Sequence, residues 1–239
     1  MSLLQPLYSY TPCNRESIEG KRHYRLPDGS LVPSVTTILS ATQSAEKTAS
    51  LENWRNAIGR DRAEQITTDA ANRGTRMHAY LEHYVLHGEM KKFPSNPYAH
   101  ASWYMAEQVI KHGLKHVTAF RGVEVPLFYS GMYAGSTDVV ANWKGKDAIL
   151  DYKQSNRPKD DAKVEDYKIQ LCAYGMAHNN MHHTNIQTGV ILMAVQPKQN
   201  TDKTYTVPQY QEWVIEGDEY AHYENEWLNR VEQYYLSQK

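Results

Sequence analysis

Residues 133–154 read YAGSTDVVANWKGKDAILDYKQ, and this stretch predicts a β-hairpin. Val, Ile and aromatic residues fill two short runs, and WKGK at residues 143–146 separates them with a tight turn. The second apolar run ends at Asp151, and Lys153 follows two residues later. Successive side chains of a strand point to opposite faces, so Asp151 and Lys153 share one face. Asp138, thirteen residues before Asp151, lies on the preceding strand, where pairing brings the two carboxylates together.

The combination of an acid, any residue and Lys is common in this chain. It occurs five times, beginning at Glu19, Glu89, Asp151, Asp161 and Asp166. Only Asp151 ends an apolar strand-like run, whereas the last two triplets lie in polar sequence that leads into a helix. Context therefore singles out Asp151 with Lys153. Taken alone, this pair is equally compatible with an ordinary hairpin whose Asp and Lys side chains are solvated.

Two close carboxylates repel each other unless a cation or a proton lies between them. Hard oxygen ligands that converge on one point are typical of Mg²⁺ or Mn²⁺ sites. Such an ion activates water and stabilises a phosphoryl oxygen, while Lys153 adds positive charge for the hydroxide and the developing transition state. The pattern of Asp138, Asp151 and Lys153 therefore favours metal-dependent phosphodiester hydrolysis.

The sequence around the hairpin predicts an α/β domain. Apolar residues at helical or alternating spacing give the order helix, three strands, helix, strand. Turn residues Pro27-Asp28-Gly29 predict another hairpin near the N-terminus, and Ser34 is a candidate helix cap. The predicted helices cover residues 35–41, 61–86, 98–112, 164–179 and 218–235. The predicted strands cover residues 21–33 as a hairpin, 117–129, 133–143, 147–154 and 189–195.

Size and composition limit the class of protein. A chain of 239 residues with 41% hydrophobic residues is long enough for one domain with a sizeable core. We divide this domain into an N-terminal helical and hairpin region, about 21–97, and a core, about 98–239. The net charge of −1 excludes a protein that coats nucleic acid through overall positive charge, so any polyanion is bound locally.

The same sequence predicts a cytoplasmic protein without a membrane anchor. Its apolar runs are far shorter than the roughly 20 residues that span a bilayer. Residues 1–10 have neither the basic and apolar order of a secretion signal nor the Arg-rich character of a transit peptide. Two cysteines are too few for a disulfide framework or a four-cysteine metal cluster, and they fit a reducing compartment.

Two pairs of side chains at i, i+4 helical spacing add candidate site residues. His78 and Glu82 face the same way, and an imidazole beside carboxylates is a good Mn²⁺ ligand, although a surface hydrogen-bonding pair is the more common explanation. Gln170 and Tyr174 form the second pair and could order the lysine or a phosphate. Packing of their helix against the sheet is the more common explanation of this pair.

Eighteen tyrosines and five tryptophans supply aromatic rings on which unpaired bases can stack. Trp54 is accompanied by arginines in the same predicted helical region, at positions Arg55, Arg60, Arg62, Arg73 and Arg76. This mixture fits single-stranded DNA, but burial of Trp54 in the core explains it equally well. The histidines near the end of the fourth predicted helix are interpreted as solvated loop residues and not as a metal site: His178, His182 and His183.

Together, these motifs resemble the ordered motifs of RecB-like PD-(D/E)xK nucleases. The resemblance rests on His78 with Glu82, Glu124 in VEVP, Gly135-Ser136-Thr137-Asp138, Asp151-Tyr152-Lys153, and Gln170 with Tyr174. Within this family, the chain is similar to the mitochondrial genome maintenance exonucleases and their phage-encoded relatives. Further matching stretches are residues 33–37, 54–55, 155–159 and 227–234.

The resemblance implies a restriction-endonuclease-like core, with a central mixed β-sheet flanked by helices, and cleavage of single-stranded DNA from a free end. It implies four ligands for Mg²⁺ or Mn²⁺: Asp138, Asp151, His78 and the backbone carbonyl of Tyr152. Lys153 becomes the catalytic lysine, Glu124 a further carboxylate of the site, and Gln170 and Tyr174 supporting residues. The implied DNA contacts are Ser34, Thr36, Trp54, Arg55, Arg73, Arg76, Ser155, Arg157 and Lys159.

The chain also departs from the family pattern. It shows no transit peptide, no cysteine set for an iron-sulfur cluster and no P-loop, so we expect a stand-alone nuclease that binds no nucleotide cofactor. Recombination or replication proteins are the expected protein partners. Two alternatives stay open: a recombination exonuclease that processes duplex DNA ends, and a DNA-binding recombination factor without catalysis. The intact set of Asp138, Asp151 and Lys153 disfavours the second alternative.

Overall fold

A computed structural model describes residues 1–238, which form a large sheet, a small sheet and six α-helices. The strands are β1 (Asn14–Ile18), β2 (Lys21–Arg25), β3 (Leu31–Pro33), β4 (Val117–Tyr129), β5 (Tyr133–Trp143), β6 (Lys146–Ser155), β7 (Thr188–Val195) and β8 (Tyr210–Glu216). The helices are α1 (Val35–Ala41), α2 (Ala45–Ile58), α3 (Arg60–His87), α4 (His100–Gln108), α5 (Glu165–His182) and α6 (Gly217–Leu236). Within residues 1–238, no helix has the length and apolar character needed to cross a membrane.

The large sheet has five strands in the order β4-β5-β6-β7-β8. β4, β5 and β6 pair antiparallel, β6 and β7 pair parallel, and β8 closes the edge antiparallel to β7. Parallel neighbours need a crossover connection, which α5 supplies between β6 and β7. Helices, three antiparallel strands, a helix and a parallel strand follow one another as predicted. The predicted α/β class, a mixed sheet flanked by helices, is therefore confirmed.

The large sheet carries one hydrophobic core on each face. Along β6, Ala148 and Leu150 pack with α3 and α4, whereas Ile149 packs with α1, α5 and α6. β7 is buried at all eight positions, as expected of a central strand that is covered on both faces. Because side chains alternate along β6, Asp151 and Lys153 point towards the side of the sheet that α5 covers.

The small sheet and α1 include the predicted N-terminal hairpin. β2 and β3 pair antiparallel around a turn at residues 26–30, and β1 adds a third strand. Ser34 then caps α1 as predicted, since its Oγ accepts a hydrogen bond from the Thr37 N–H at 3.0 Å. The cap also fixes the position of α1 against the large sheet.

Two elements, β1 and β8, were absent from the sequence prediction, whereas α2 lies in the predicted helical region that holds Trp54. β1 is polar and mostly exposed, β8 is a half-exposed edge strand, and α2 keeps each of its 14 residues at least partly exposed. None of these segments carries the apolar pattern that burial on one face imposes. In addition, α4 ends at Gln108, and a π-helical turn, Val109–Gly113, replaces the α-helix predicted to continue to residue 112.

His178 contradicts the prediction of a solvated helix-end loop. It lies within α5 and is fully buried, with Nδ1 2.8 Å from Thr184 Oγ1 and Nε2 3.2 Å from the Tyr10 hydroxyl. Tyr8 packs edge-to-face against the same ring. Burial, with a smaller contribution from His182, lowers the pKa of His178 to about 4. The residue is therefore a neutral core histidine covered by the N-terminal segment.

Candidate active site

Three acidic side chains stand in one row across the antiparallel part of the large sheet. The β4–β5 register places Glu124 opposite Asp138. The β5–β6 register, continued by one residue beyond its last pair, places Asp138 opposite Asp151. Asp138 is 9% exposed and Asp151 is 3% exposed, so two of the three carboxylates are almost fully withdrawn from water. Burial of like charges this close is costly unless something positive offsets them.

Glu124 reaches the row through an unusual backbone conformation. Its φ is +49°, a left-handed value that non-glycine residues rarely adopt, and the β4–β5 register shifts between Phe120 and Gly122, just before it. Such a conformation costs on the order of 1–3 kcal/mol and is found most often at functional sites. An irregularity of this kind redirects a side chain within a strand. The strand geometry therefore aims Glu124 at the centre of the row.

His78 approaches the row from α3. Its Nδ1 lies 3.1 Å from Asp138 Oδ1, and its Nε2 lies 3.0 Å from the backbone carbonyl oxygen of Tyr152. The Tyr152 N–H donates to the other oxygen of Asp138 at 2.6 Å. Burial alone would lower the pKa of His78, but the Asp138 carboxylate raises it above its ordinary value. Both ring nitrogens thus face oxygen acceptors, which a protonated imidazole satisfies.

Lys153 is held between the acidic row and α5. It forms an ion pair with Asp151, and its Nζ donates to Gln170 Oε1 at 3.3 Å. Gln170 Nε2 in turn donates to the Tyr174 hydroxyl at 3.2 Å. Nζ also lies 4.7 Å from the centre of the Tyr167 ring, in a cation–π arrangement. Three side chains, Asp151, Gln170 and Tyr167, therefore restrict the position of this ammonium group, and Tyr174 holds Gln170.

The pKa shifts indicate an excess of negative charge at the site. Glu124 is exposed at the rim of the site, but partial desolvation of its carboxylate, and then the charge of Asp138, raise its pKa to about 7. Burial also raises the pKa of Asp151, despite its ion pair with Lys153. The pKa of Asp138 is lowered, because His78 and Lys153 outweigh the effect of burial. Added positive charge would stabilise the ionised form of all three carboxylates.

The donor set fits a divalent cation. His78, Glu124 and Asp138 each offer a ligand atom within 4.8 Å of the others. Asp151 Oδ2 is buried, and among the described residues the Lys153 ammonium is its one polar contact. Carboxylate oxygens with one backbone carbonyl suit Mg²⁺, and the imidazole makes Mn²⁺ equally suitable. The residues present therefore match the predicted choice between Mg²⁺ and Mn²⁺.

The structure thus brings together every side chain predicted for the catalytic centre. Sequence reasoning missed Tyr167, because Asp166-Tyr167-Lys168 was read only as polar sequence leading into a helix. Asp166 and Lys168 do serve packing, through contacts to Arg230 and Glu219. The Tyr167 ring lies over the Lys153 ammonium group, and this orientation depends on where α5 begins.

Three of the predicted DNA contacts are engaged elsewhere. Ser34 is 2% exposed, and its hydroxyl is used in the cap of α1. Arg73 is buried, and its guanidinium donates to Gln154 and Asn156. Ser155 is buried as well, and its Oγ donates to the Arg157 carbonyl oxygen at 2.6 Å. We correct these three assignments: the side chains shape the protein around the site and are not free surface contacts.

The other predicted DNA contacts lie at the surface, fully or in part: Thr36, Trp54, Arg55, Arg76, Arg157 and Lys159. Trp54 belongs to α2, whose residues are all at least partly exposed, so the alternative that places Trp54 in the core is wrong. Arg76 is tied to the start of α4, since its Nη1 donates to the Tyr98 carbonyl oxygen at 3.1 Å.

The chain is similar to two curated exonucleases over most of its length. It is 26% identical over 212 residues to mitochondrial genome maintenance exonuclease 1 of Homo sapiens, and 28% identical over 214 residues to that of Xenopus tropicalis. Both matches cover 85% of this chain but only 58% and 57% of the relatives. The chain therefore spans less than three fifths of the length of the curated relatives that it matches.

One solved structure shows a weaker similarity. The crystal structure of an inferred exonuclease from Eubacterium rectale superimposes with a TM-score of 0.48 and 16% identity, covering 69% of this chain and 64% of the other. That score is too low to establish a shared fold. The chain matches no protein-family model.

Proposed function

We propose that the protein is a metal-dependent DNA exonuclease of the PD-(D/E)xK type that removes nucleotides from a free single-stranded end. The observation that carries the proposal is the buried pair of Asp138 and Asp151, with Lys153 held beside it and His78 and Glu124 at its rim. The similarity to curated exonucleases supports the same chemistry.

The residues of the site divide the work of phosphodiester hydrolysis. Bound Mg²⁺ or Mn²⁺ would activate water and stabilise the charge on the phosphoryl oxygens. Asp138, Asp151, Glu124, His78 and the Tyr152 carbonyl would hold it. Lys153 directs its ammonium group at the reacting phosphate and stabilises the negative charge that develops there. Gln170 and Tyr167 keep that ammonium in place, which preserves the geometry on which its effect depends.

Preference for a free end is supported by α2 and the first part of α3, residues 45–72, which we call the arch. Within residues 60–72, which the structure describes in full, Ala63 is the one buried residue. One foot of the arch is anchored where Lys47 pairs with Asp166 and where Arg230 donates to the Thr42 carbonyl oxygen. The other foot is anchored where Arg73 binds Gln154 and Asn156.

A groove between α1 and α5, with Lys47 of the arch at its edge, leads towards the catalytic lysine. A cavity of about 300 Å³ lies between α1 and α5 and is lined by Thr36, Lys47, Tyr167 and Gln170. Tyr167 and Gln170 are the two residues of α5 that contact Lys153. We infer that a single strand enters this opening from its end, which would account for the exonucleolytic mode.

The experiment incubates end-labelled linear and circular single strands and a blunt duplex of one sequence with Mg²⁺, Mn²⁺ or EDTA. We expect metal-dependent cutting of the linear strand, no cutting of the circle and slow cutting of the duplex. Equal rates on circle and linear strand would show an endonuclease. A faster rate on the duplex would identify a duplex end-processing enzyme, and no cutting of any substrate would leave a DNA-binding factor.

The first prediction concerns the catalytic residues. Lys153→Ala and Asp151→Asn should each lower the cleavage rate by at least about a hundredfold, as removal of one group that stabilises transition-state charge does. DNA affinity should change little, because phosphate contacts elsewhere hold the strand. Asp161→Asn, in an exposed acid-x-Lys triplet, is the matched control and should keep its activity. Full activity in either site variant would refute the assignment.

A further inference from the structure

Five aromatic rings form a continuous cluster beside α4. They belong to the loop that precedes α4, to α4 itself and to the turn between β7 and β8: Phe93, His100, Trp103, Tyr104 and Tyr205. Neighbouring ring centres are 4.5 to 6.1 Å apart, which is contact distance for aromatic pairs. Phe93 is 47% exposed, and none of the five rings is buried. We call these residues the ring cluster.

Polar contacts hold the ring cluster open at the surface. Trp103 Nε1 donates to the Lys91 carbonyl oxygen at 2.9 Å, and His100 Nε2 lies 3.0 Å from the Pro94 carbonyl oxygen. Tyr205 is carried by a tight turn in which the Asn200 N–H donates to the Thr204 carbonyl oxygen at 2.8 Å. Exposed apolar surface that is kept rigid in this way is a common mark of a binding site.

The ring cluster is connected to the catalytic centre by a short chain of hydrogen bonds. In α4, Ser102 Oγ donates to the Arg73 carbonyl oxygen at 3.0 Å. The Arg73 guanidinium donates to Gln154 at 3.0 Å, and Gln154 directly follows Lys153. The position of α4 and its rings is thus fixed relative to the catalytic lysine. Gln154 and Asn156, which both accept from Arg73, therefore lie between the catalytic lysine and α4 in this chain of contacts.

The chemistry of the cavity in the ring cluster favours a nucleobase as its occupant. The cavity measures about 380 Å³ and is lined by four of the rings, all except Trp103, together with Glu107, Gln108 and Lys203. Aromatic faces stack on any base, while Glu107 and Gln108 can bind the polar edge of a base. Glu107 and Lys203 give the cavity one charge of each sign, and exposed Lys91 and Lys92 beside Phe93 can bind the phosphates on either side of the base.

We propose that the ring cluster is a binding site for an unpaired base of the DNA strand whose backbone lies in the catalytic centre. This proposal rests on the proposed function for its substrate, and it adds a specific second contact point along the strand. The contact is independent of sequence, since every base has an aromatic face, and it requires that the base be unstacked from any partner strand.

The experiment measures binding of fluorescein-labelled single strands in EDTA, each with one abasic position placed at successive sites along the strand. With the wild-type protein, we expect one or two adjacent abasic positions to weaken binding about 5- to 150-fold, the range for one stacked base. In the double variant Phe93→Ala/Tyr205→Leu, binding to the intact strand should weaken by a similar factor. The abasic positions should then have no further effect, because the contact is already lost.

Two control variants test whether a loss of affinity comes from misfolding or from an unspecific effect of the substitution. Leu228→Ala removes an apolar side chain of equal exposure, 47%, on α6, and should keep wild-type affinity and the wild-type abasic profile. Tyr205→Phe keeps the ring and should bind like the wild type. An abasic profile that is flat in the wild type, or unchanged in the double variant, overturns the proposal. Failure of the proposed function would instead appear as a wild-type protein that cuts no linear strand with Mn²⁺.

Discussion

Glu124 combines a strained backbone with an unfavourable charge. Its φ of +49° is left-handed, and Asn tolerates this conformation with less strain than Glu does. Its carboxylate lies close to Asp138, in a site that disfavours its ionised form. Glu124→Asn should therefore raise the free energy of unfolding in EDTA by about 1 kcal/mol, while lowering metal-dependent cleavage at least tenfold. The measurements are urea denaturation and the rate on a linear strand.

Lys144 provides the matched control for this substitution. It has the same φ of +49° but lies in the β5–β6 turn, away from the acidic row. Lys144→Asn should give a gain in stability without a loss of cleavage. A Glu124→Asn protein that is less stable than the wild type would show that the side chain holds the strand in place, and not that the site imposes strain.

His178 should make the fold sensitive to acid. Its pKa is about 4 in the folded protein, below its ordinary value of 6.5, so the unfolded chain binds a proton that the folded protein does not. Stability from this group is complete above pH 6.5 and is lost as the pH falls towards 4, by on the order of 3 kcal/mol. Urea denaturation between these pH values should show a smaller loss for His178→Gln, and equal slopes would contradict the assignment.

At the level of elements, the feet of the arch should control the requirement for a free end. Hydrogen bonds to charged groups contribute about 1.5–3 kcal/mol, so Arg230→Met should increase the population with an open arch about tenfold or more. We expect cutting of circular single strands to rise by a similar factor, with little change on linear strands. Lys146→Met, which removes an exposed ion pair with Glu216, is the control, and an unchanged ratio for Arg230→Met would exclude this role.

Elements that bury one face against a core were predicted from the sequence. The exposed strands β1 and β8 were missed. The predicted bounds of β4 and β5 match the structure, because their apolar residues alternate into two cores. The acidic row was predictable in part for the same reason: strand period and turn length place Asp138 by Asp151. By contrast, the exposed strands β1 and β8 left no apolar pattern, and the burial of Arg73 depends on a long-range partner, Asn156, that sequence spacing does not reveal.

At the scale of the whole molecule, a bound divalent cation should stabilise the folded protein against unfolding. An ion that binds only the folded state adds about 2.7 kcal/mol at a hundredfold excess over its Kd, which for this size of protein raises Tm by roughly 5–10 °C. Mn²⁺ should produce this shift in the wild type. The shift should be small in Asp138→Asn, and in His78→Ala the advantage of Mn²⁺ over Mg²⁺ should shrink.

The control for the metal prediction is Asp147→Asn at the far end of β6, which should respond to Mn²⁺ like the wild type. Differential scanning fluorimetry with EDTA, Mg²⁺ and Mn²⁺ gives the comparison directly. Equal shifts in Asp138→Asn and in the wild type would place the cation somewhere other than the acidic row.

The antiparallel run β4-β5-β6 also bears on the order in which the chain folds. Its contacts are local in sequence and form fast, whereas β7 reaches β6 only after the intervening α5 has crossed over. Glu124, Asp138 and Asp151 all belong to the local part, while Gln170 arrives with α5. We therefore expect their mutual repulsion to arise before α5 docks, and so to slow folding as well as to lower the stability of the product.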